Sequence, residues 1–103
     1  MKVLSTRATP VREDRPATQL LYDEGDVRVV SFHLLAGQEV PPHRSTSTVV
    51  VQVTDGQGYF AGDDGETLLD AGDAAVFAPE ENHSIRATDR PLRFVAILSP
   101  RPA

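Results

Sequence analysis

Turn-forming residues punctuate this chain at intervals of about 8 to 12 residues, too close for long helices and suited to short antiparallel strands. From Leu20 onward the breakers are Glu24-Gly25-Asp26, Ala36-Gly37, Pro41-Pro42, Asp55-Gly56, Gly62-Asp63-Asp64-Gly65, Ala71-Gly72-Asp73, Pro79 and Asp89-Arg90-Pro91. Runs rich in Val, Phe and Leu lie between them. This pattern predicts strands near 27–35, 49–54, 57–61, 66–69, 75–78, 83–87 and 92–98, arranged as an all-β sandwich or barrel. The tetrad from Gly62 to Gly65 predicts a tight hairpin, because Gly and Asp tolerate the positive φ that such turns use.

A chain of 103 residues supports one modest core. Residues 1–19, with Pro10 and Pro16 and no clear period, read as an extended arm with room for one edge strand; residues 20–103 read as the barrel domain. The net charge is −5 and the basic residues are scattered, so the positive footprint that nucleic acid demands is missing and no nucleic-acid partner is expected. No apolar run approaches signal-peptide or membrane-span length, so no membrane partner is expected and the cytoplasm is the expected location. Cysteine is absent, which excludes disulfides, thiolate ligation and thiol catalysis. The soft ligands that remain are His33, His43 and His83. Phosphate-binding glycine loops, G-x-S-x-G elbows and H-E-x-x-H pairs do not occur.

The run Val49-Val50-Val51-Gln52-Val53 is apolar on both faces of a strand, and Phe94-Val95-Ala96-Ile97-Leu98 repeats the pattern. One face fills the barrel. The other needs a cover, and a second copy of the chain is the favoured candidate, giving a homodimer; the alternative is another part of the same chain.

Two stretches resemble the paired motifs of the cupin family. Gly37, then His43, Ser45, Val49 and Gly56 follow the spacing of its first motif, with Ser45 at the position of the second histidine and Val49 at that of the glutamate. Gly72, Pro79 and His83 follow the second, with Ala78, Glu80 and Ala87 replacing the usual Pro, Gly and Asn. The resemblance covers residues 27–98 or so and implies a double-stranded β-helix, a jelly-roll barrel with a pocket at one mouth. Closing the sheet on itself removes exposed strand edges, which the short strands independently favour.

Cupins that carry metal use three imidazoles and a carboxylate. The resemblance therefore points to His43 and His83 as the surviving metal ligands, for a divalent ion such as iron, manganese, zinc or nickel. Ser45 and Val49 supply neither the charge nor the third imidazole, so tight binding through this set is not expected without a further ligand. His33 is one candidate, and its direction depends on strand phase: with Arg28 in water His33 points inward, whereas with Phe32 and Leu34 in the core it points outward, the phase that its apolar neighbours favour. Glu39 and Gln38 read equally as ligands or as solvated loop residues. Arg44, Arg86 and Arg93 fall out of phase with the inward residues and read as solvated; Tyr59 or Phe60 should be inside, and Phe77 reads as packing.

The expected pocket is lined by His43, Ser45, Val49, Val51, Val53, His83 and Ile85. Its first functional reading is a binding site for a small organic ligand, with two histidines orienting an otherwise apolar guest. A second is catalysis, as a metal-dependent dioxygenase or as a metal-free isomerase or lyase using the two histidines as acid and base. A third is a structural dimer without ligand.

Overall fold

The structure is a computed structural model and describes residues 1–102. Its strands are β1 (Ala17–Glu24), β2 (Val27–Leu34), β3 (Glu39–His43), β4 (Thr48–Gly62), β5 (Gly65–Asp70), β6 (Ala74–Phe77) and β7 (His83–Ser99). The pairing is antiparallel throughout, in the order β1-β2-β7-β4-β5, with β3 on β7 and β6 on β4. Among the described residues no helix is long and apolar enough to cross a membrane. The all-β reading and the jelly-roll barrel hold.

The strand boundaries differ from the expectation in an instructive way. Segments 49–54 and 57–61 are one strand, β4, and segments 83–87 and 92–98 are one strand, β7. Each long strand serves two layers. The first half of β4 pairs with β6 and with the end of β7, whereas its second half pairs with β5 and with the start of β7. The end of β7 also carries β2, and its start carries β3. Two layers therefore face each other, β1-β2-β7-β4-β6 and β3-β7-β4-β5, sharing β4 and β7 at a common corner. The turn signals Asp55-Gly56 and Asp89-Arg90-Pro91 mark that corner, where register shifts fall between Val53 and Asp55 and between Gly56 and Gly58. Bulges of this kind bend a strand without ending it. Gly56 has φ of 74°, and a Cβ there would collide with the Pro91 carbonyl oxygen, so the corner admits only glycine at this point.

The hairpin at Gly62–Gly65 forms as expected, with Gly62 opposite Gly65. Only Gly65 takes a positive φ, 116°; both aspartates keep ordinary backbone angles. The five-residue β3 is absent from the sequence-based expectation because Pro41 and Pro42 sit within it. An edge strand tolerates proline where its N–H faces away from the ladder.

Alternation decides what faces inward. Across the first layer, Arg28, Leu98, Val49 and Phe77 form one inward rung, Val30, Ala96, Val51 and Ala75 a second, and Phe32, Phe94 and Val53 a third. Leu34, Leu92, Val51, Val53 and Phe94 are almost wholly buried. Phe94 stacks on Phe32 with centroids 4.6 Å apart and meets Phe60 edge-on at 5.3 Å. Phe60 is thus the inward member of its pair, and Tyr59 lies outside beneath the Arg86 guanidinium, 4.0 Å from the ring centroid.

The outer face of this layer is covered in part by the N-terminal arm. Thr9 bonds the buried Ser31 hydroxyl, Arg7 forms a fork with Asp55 at 3.0 and 3.1 Å, and Arg93 donates to the Arg7 carbonyl. Leu4 and Thr6 lie beside Val29, Val95 and Ile97. His33 belongs to this covered face. It is buried, pairs in register with Ala17 and Arg93, and its Nδ1 lacks a hydrogen-bond partner among the described residues. Phe32 and Leu34 take the inward phase and exclude His33 from the barrel interior.

Candidate functional site

Between the two layers, at the end opposite the corner, lies a cavity of about 310 Å³. Its walls come from Val30 and Phe32 on β2, Val40 on β3, Val49 and Val51 on β4, and Ile85, Phe94, Ala96 and Leu98 on β7. The polar groups are Arg28, His43, Arg44, Ser45 and His83. The volume falls at the lower end of the roughly 300–1,000 Å³ typical of small-molecule sites, and the pairing of an apolar wall with few polar groups is their usual chemistry.

Register brings the two histidines together. His43 on β3 pairs directly with His83 on β7, and the rings meet at an angle of 60° with centroids 4.1 Å apart. His43 is exposed at the mouth; His83 is buried and stacks on Phe77 at 4.5 Å. Each ring is held the same way. His43 Nδ1 donates to the Pro41 carbonyl at 3.0 Å and His83 Nδ1 to the Glu81 carbonyl at 2.9 Å. A carbonyl only accepts, so both neutral rings carry the proton on Nδ1 and present Nε2 as an acceptor. Burial, and then the neighbouring His43, hold the His83 pKa below the ordinary 6.5, although its bond to Glu81 opposes this.

Six of the seven expected pocket residues share this cavity: His43, Ser45, Val49, Val51, His83 and Ile85. Val53 does not line it; it lies one step deeper on the same face, in solid core with Phe94. Two arginines join the site, Arg44 against expectation and Arg28 in keeping with the phase that turns Phe32 and Leu34 inward. Arg44, read as solvated, lines the cavity mouth and donates to the Glu80 carbonyl at 3.0 Å. Arg28 points inward on the rung of Val49, held by Asp23 at 3.0 and 3.3 Å and by the Pro102 carbonyl at 3.3 Å. The sequence signal for Arg28 was the counter-ion: Asp23 and Arg28 flank the Glu24-Gly25-Asp26 turn and face each other across the β1–β2 ladder. Arg86 and Arg93 do stay outside, Arg86 forked to Glu66 and Arg93 bonded to the arm. Gln38 serves the loop by accepting from the Leu35 N–H and donating to the Arg12 carbonyl, and Glu39 is exposed in register with Arg86.

The two motifs are latched at the mouth by residue 80. The Glu80 N–H donates to the Ser45 carbonyl at 2.7 Å while its own carbonyl accepts from Arg44. Glu80 has φ of 66°, a left-handed angle that glycine adopts without strain. Glu81 then ties the second motif to the hairpin, its carboxylate accepting from Ala78 N–H at 2.9 Å and Asp63 N–H at 3.0 Å. Those two bonds hold its carboxyl below the ordinary 4.5.

A divalent metal does not fit the inherited positions. Val49 stands where the carboxylate would be, Ser45 where an imidazole would be, and the guanidiniums of Arg28 and Arg44 line the same space. Among the described residues no group of three or more His, Asp or Glu side chains is placed to hold a metal ion.

Two facing layers joined through β4 and β7, with paired motif residues at one mouth, define a cupin-type double-stranded β-helix. A family model for the AraC-like ligand binding domain matches residues 29–103, and the chain belongs to that family. The protein TT1209 from Thermus thermophilus superposes with a TM-score of 0.91 at 21% identity, covering 99% of this chain and 100% of that one. An uncharacterised conserved protein with a double-stranded β-helix domain from Klebsiella pneumoniae gives 0.88 at 24% identity, covering 98% and 91%. An RmlC-like cupin from Desulfovibrio desulfuricans gives 0.86 at 26% identity, covering 97% of each chain. No curated protein matches this chain.

Proposed function

We propose that this protein binds a small organic molecule in the cavity between its two layers. The observation that carries the reading is the cavity itself: an apolar chamber of about 310 Å³ whose polar groups converge from β2, β3, the loop after β3, and β7. A chamber lined by valine, phenylalanine and leucine side chains rewards an apolar guest by removing its surface from water, and few polar groups orient it. The family match to a ligand binding domain supports the same reading.

A fragment screen read by methyl resonances tests it. Fragments that bind should shift Val51, Ile85 and Leu98 together and leave Leu68, on the far surface, unmoved. Failure of every fragment to perturb the cavity residues, or perturbation confined to the outer face, would overturn the reading.

Acid–base catalysis is the second reading, favoured by the contact between the His43 and His83 rings. His83 remains neutral near pH 7 and is able to accept a proton, which His43 at the solvent-exposed mouth is placed to exchange. Turnover that is lost in both His43→Ala and His83→Ala, with ligand affinity kept, would favour catalysis over binding alone.

We also propose a homodimer through the outer face. Val29, Ile97, Val50 and Val76 form one cross-strand row there, and Val76 remains 64% exposed and Ile97 37% exposed beside the arm. Sedimentation of the native chain and of Val76→Lys tests this: a dimer that the substitution dissociates supports the proposal, and a native monomer refutes it.

A further inference from the structure

Among the described residues Arg28 and Arg44 carry the fixed charges of the cavity lining, and no Asp or Glu side chain lines it with them. On a chain of net charge −5 this concentrates positive charge in one small apolar space. We propose that the ligand is a small organic carboxylate, its apolar body against Phe32 and Phe94 and its carboxylate between the two guanidiniums. The inference rests on the reading that the cavity binds a small molecule, and it names the chemical class of that molecule.

Three observations carry the assignment. Arg28 is turned inward, held by its Nε and Nη2 against Asp23 and Pro102, so Nη1 keeps its donors for a guest. Asp23 is also shared with Arg101 at 3.5 Å, so this one carboxylate serves two guanidiniums and leaves the group net positive. Arg44 has a backbone carbonyl as its partner, and among the described residues no carboxylate lies within ion-pair distance of it. The histidines complement this set in an opposite sense. Their Nδ1–H groups are spent on Pro41 and Glu81, so a ring in its neutral form presents only the Nε2 acceptor to a guest. The permanent donors for an anionic guest are the arginines, whose planar forks match a carboxylate in geometry and charge.

The test compares 3-phenylpropanoate with 3-phenylpropanamide, which share shape and apolar body and differ in charge. Calorimetric titration should show the acid binding at least roughly tenfold more tightly than the amide. Arg44→Met should weaken the acid by roughly tenfold and leave the amide unchanged, whereas Arg86→Met, on the outer face, should change neither. The native protein alone suffices if the variant fails to fold, because the acid–amide ratio needs no substitution. Equal affinity for acid and amide, with the cavity methyl resonances shifting for both, overturns the carboxylate assignment and leaves small-molecule binding standing. Absence of any shift at Val51 and Ile85 with either probe, while other fragments of the screen shift them, overturns the carboxylate assignment alone; absence with every fragment overturns both.

Discussion

His43 and His83 are direct partners across the β3–β7 ladder, and each ring is pinned by an Nδ1 bond to the carbonyl two residues before it. The two rings reach this geometry from opposite strand ends, since His43 is the last residue of β3 and His83 the first of β7. Their environments then diverge. His43 stands in water, and His83 is buried against Phe77.

That burial predicts a pH dependence. The His83 pKa is lowered from 6.5 by desolvation first and by His43 second. Between its folded-state pKa and 6.5 the unfolded chain binds the proton more readily, so stability rises with pH through that window and levels off above it. Urea denaturation at pH 5.5, 6.5 and 7.5 checks this. Native stability should be lowest at pH 5.5, and His83→Gln should flatten the profile; a native profile that falls with pH would contradict the assignment.

Chelation should leave this protein unaffected. Two imidazoles without a carboxylate bind divalent ions weakly, and the nearby Arg28 and Arg44 guanidiniums repel them. Prolonged dialysis against EDTA should leave the melting temperature and the affinity for a cavity ligand unchanged. A melting temperature that falls on chelation and returns with stoichiometric manganese or zinc, but not in His43→Ala, would establish a metal centre that the donor set does not suggest.

Glu80 holds a left-handed backbone angle that costs an L-residue about 1 kcal/mol. Its hydrogen bonds to Ser45 and Arg44 use main-chain atoms, so Glu80→Gly keeps the latch and releases the strain. The substitution should stabilise the fold by up to about 1 kcal/mol, offset in part by the greater freedom of glycine in the unfolded chain. Denaturation midpoints measure it. A loss of stability would mean that the Glu80 side chain contributes more than its backbone costs.

Much of this architecture was legible because turn residues recur at short intervals and alternation sends successive side chains to opposite faces. Val49 and Val51 face the cavity and Val50 the outside, as the run predicts, and the spacing of the two motifs placed His43 and His83 in one space. What escaped prediction has physical causes. β4 and β7 read as two strands each because a bulged corner carries the same Gly and Pro signals as a turn that ends a strand. The place of Arg28 stayed open with the phase of β2: alternation carries it inward with Phe32 and Leu34, and the charge is tolerated there because Asp23 of the neighbouring strand partners it. The phase of β2 was ambiguous because both its faces are covered, one by the barrel and one by the arm, and the arm has no periodicity to announce where it lies. Val53 shares the face of Val49 and Val51, but alternation specifies a face and not a depth, so it could not separate a core position from a cavity wall.

The corner where β4 bends gives the sharpest stability test. Gly56 and Gly37 have nearly the same left-handed φ, 74° and 78°, yet their surroundings differ. A Cβ on Gly37 meets nothing within 4 Å, whereas one on Gly56 meets the Pro91 carbonyl of the crossing strand. Gly37→Ala therefore bears only the backbone strain, about 1 kcal/mol, while Gly56→Ala adds a collision with main chain that cannot rotate aside. A cost of about 3 kcal/mol or more is expected for Gly56→Ala, in the range of severe single substitutions. Since β4 and β7 carry both layers past this point, the loss should also broaden the resonances of the cavity residues Val51 and Ile85. Equal destabilisation by the two variants would show that the corner yields, and that the close approach of Gly56 to Pro91 does not fix the angle between the layers.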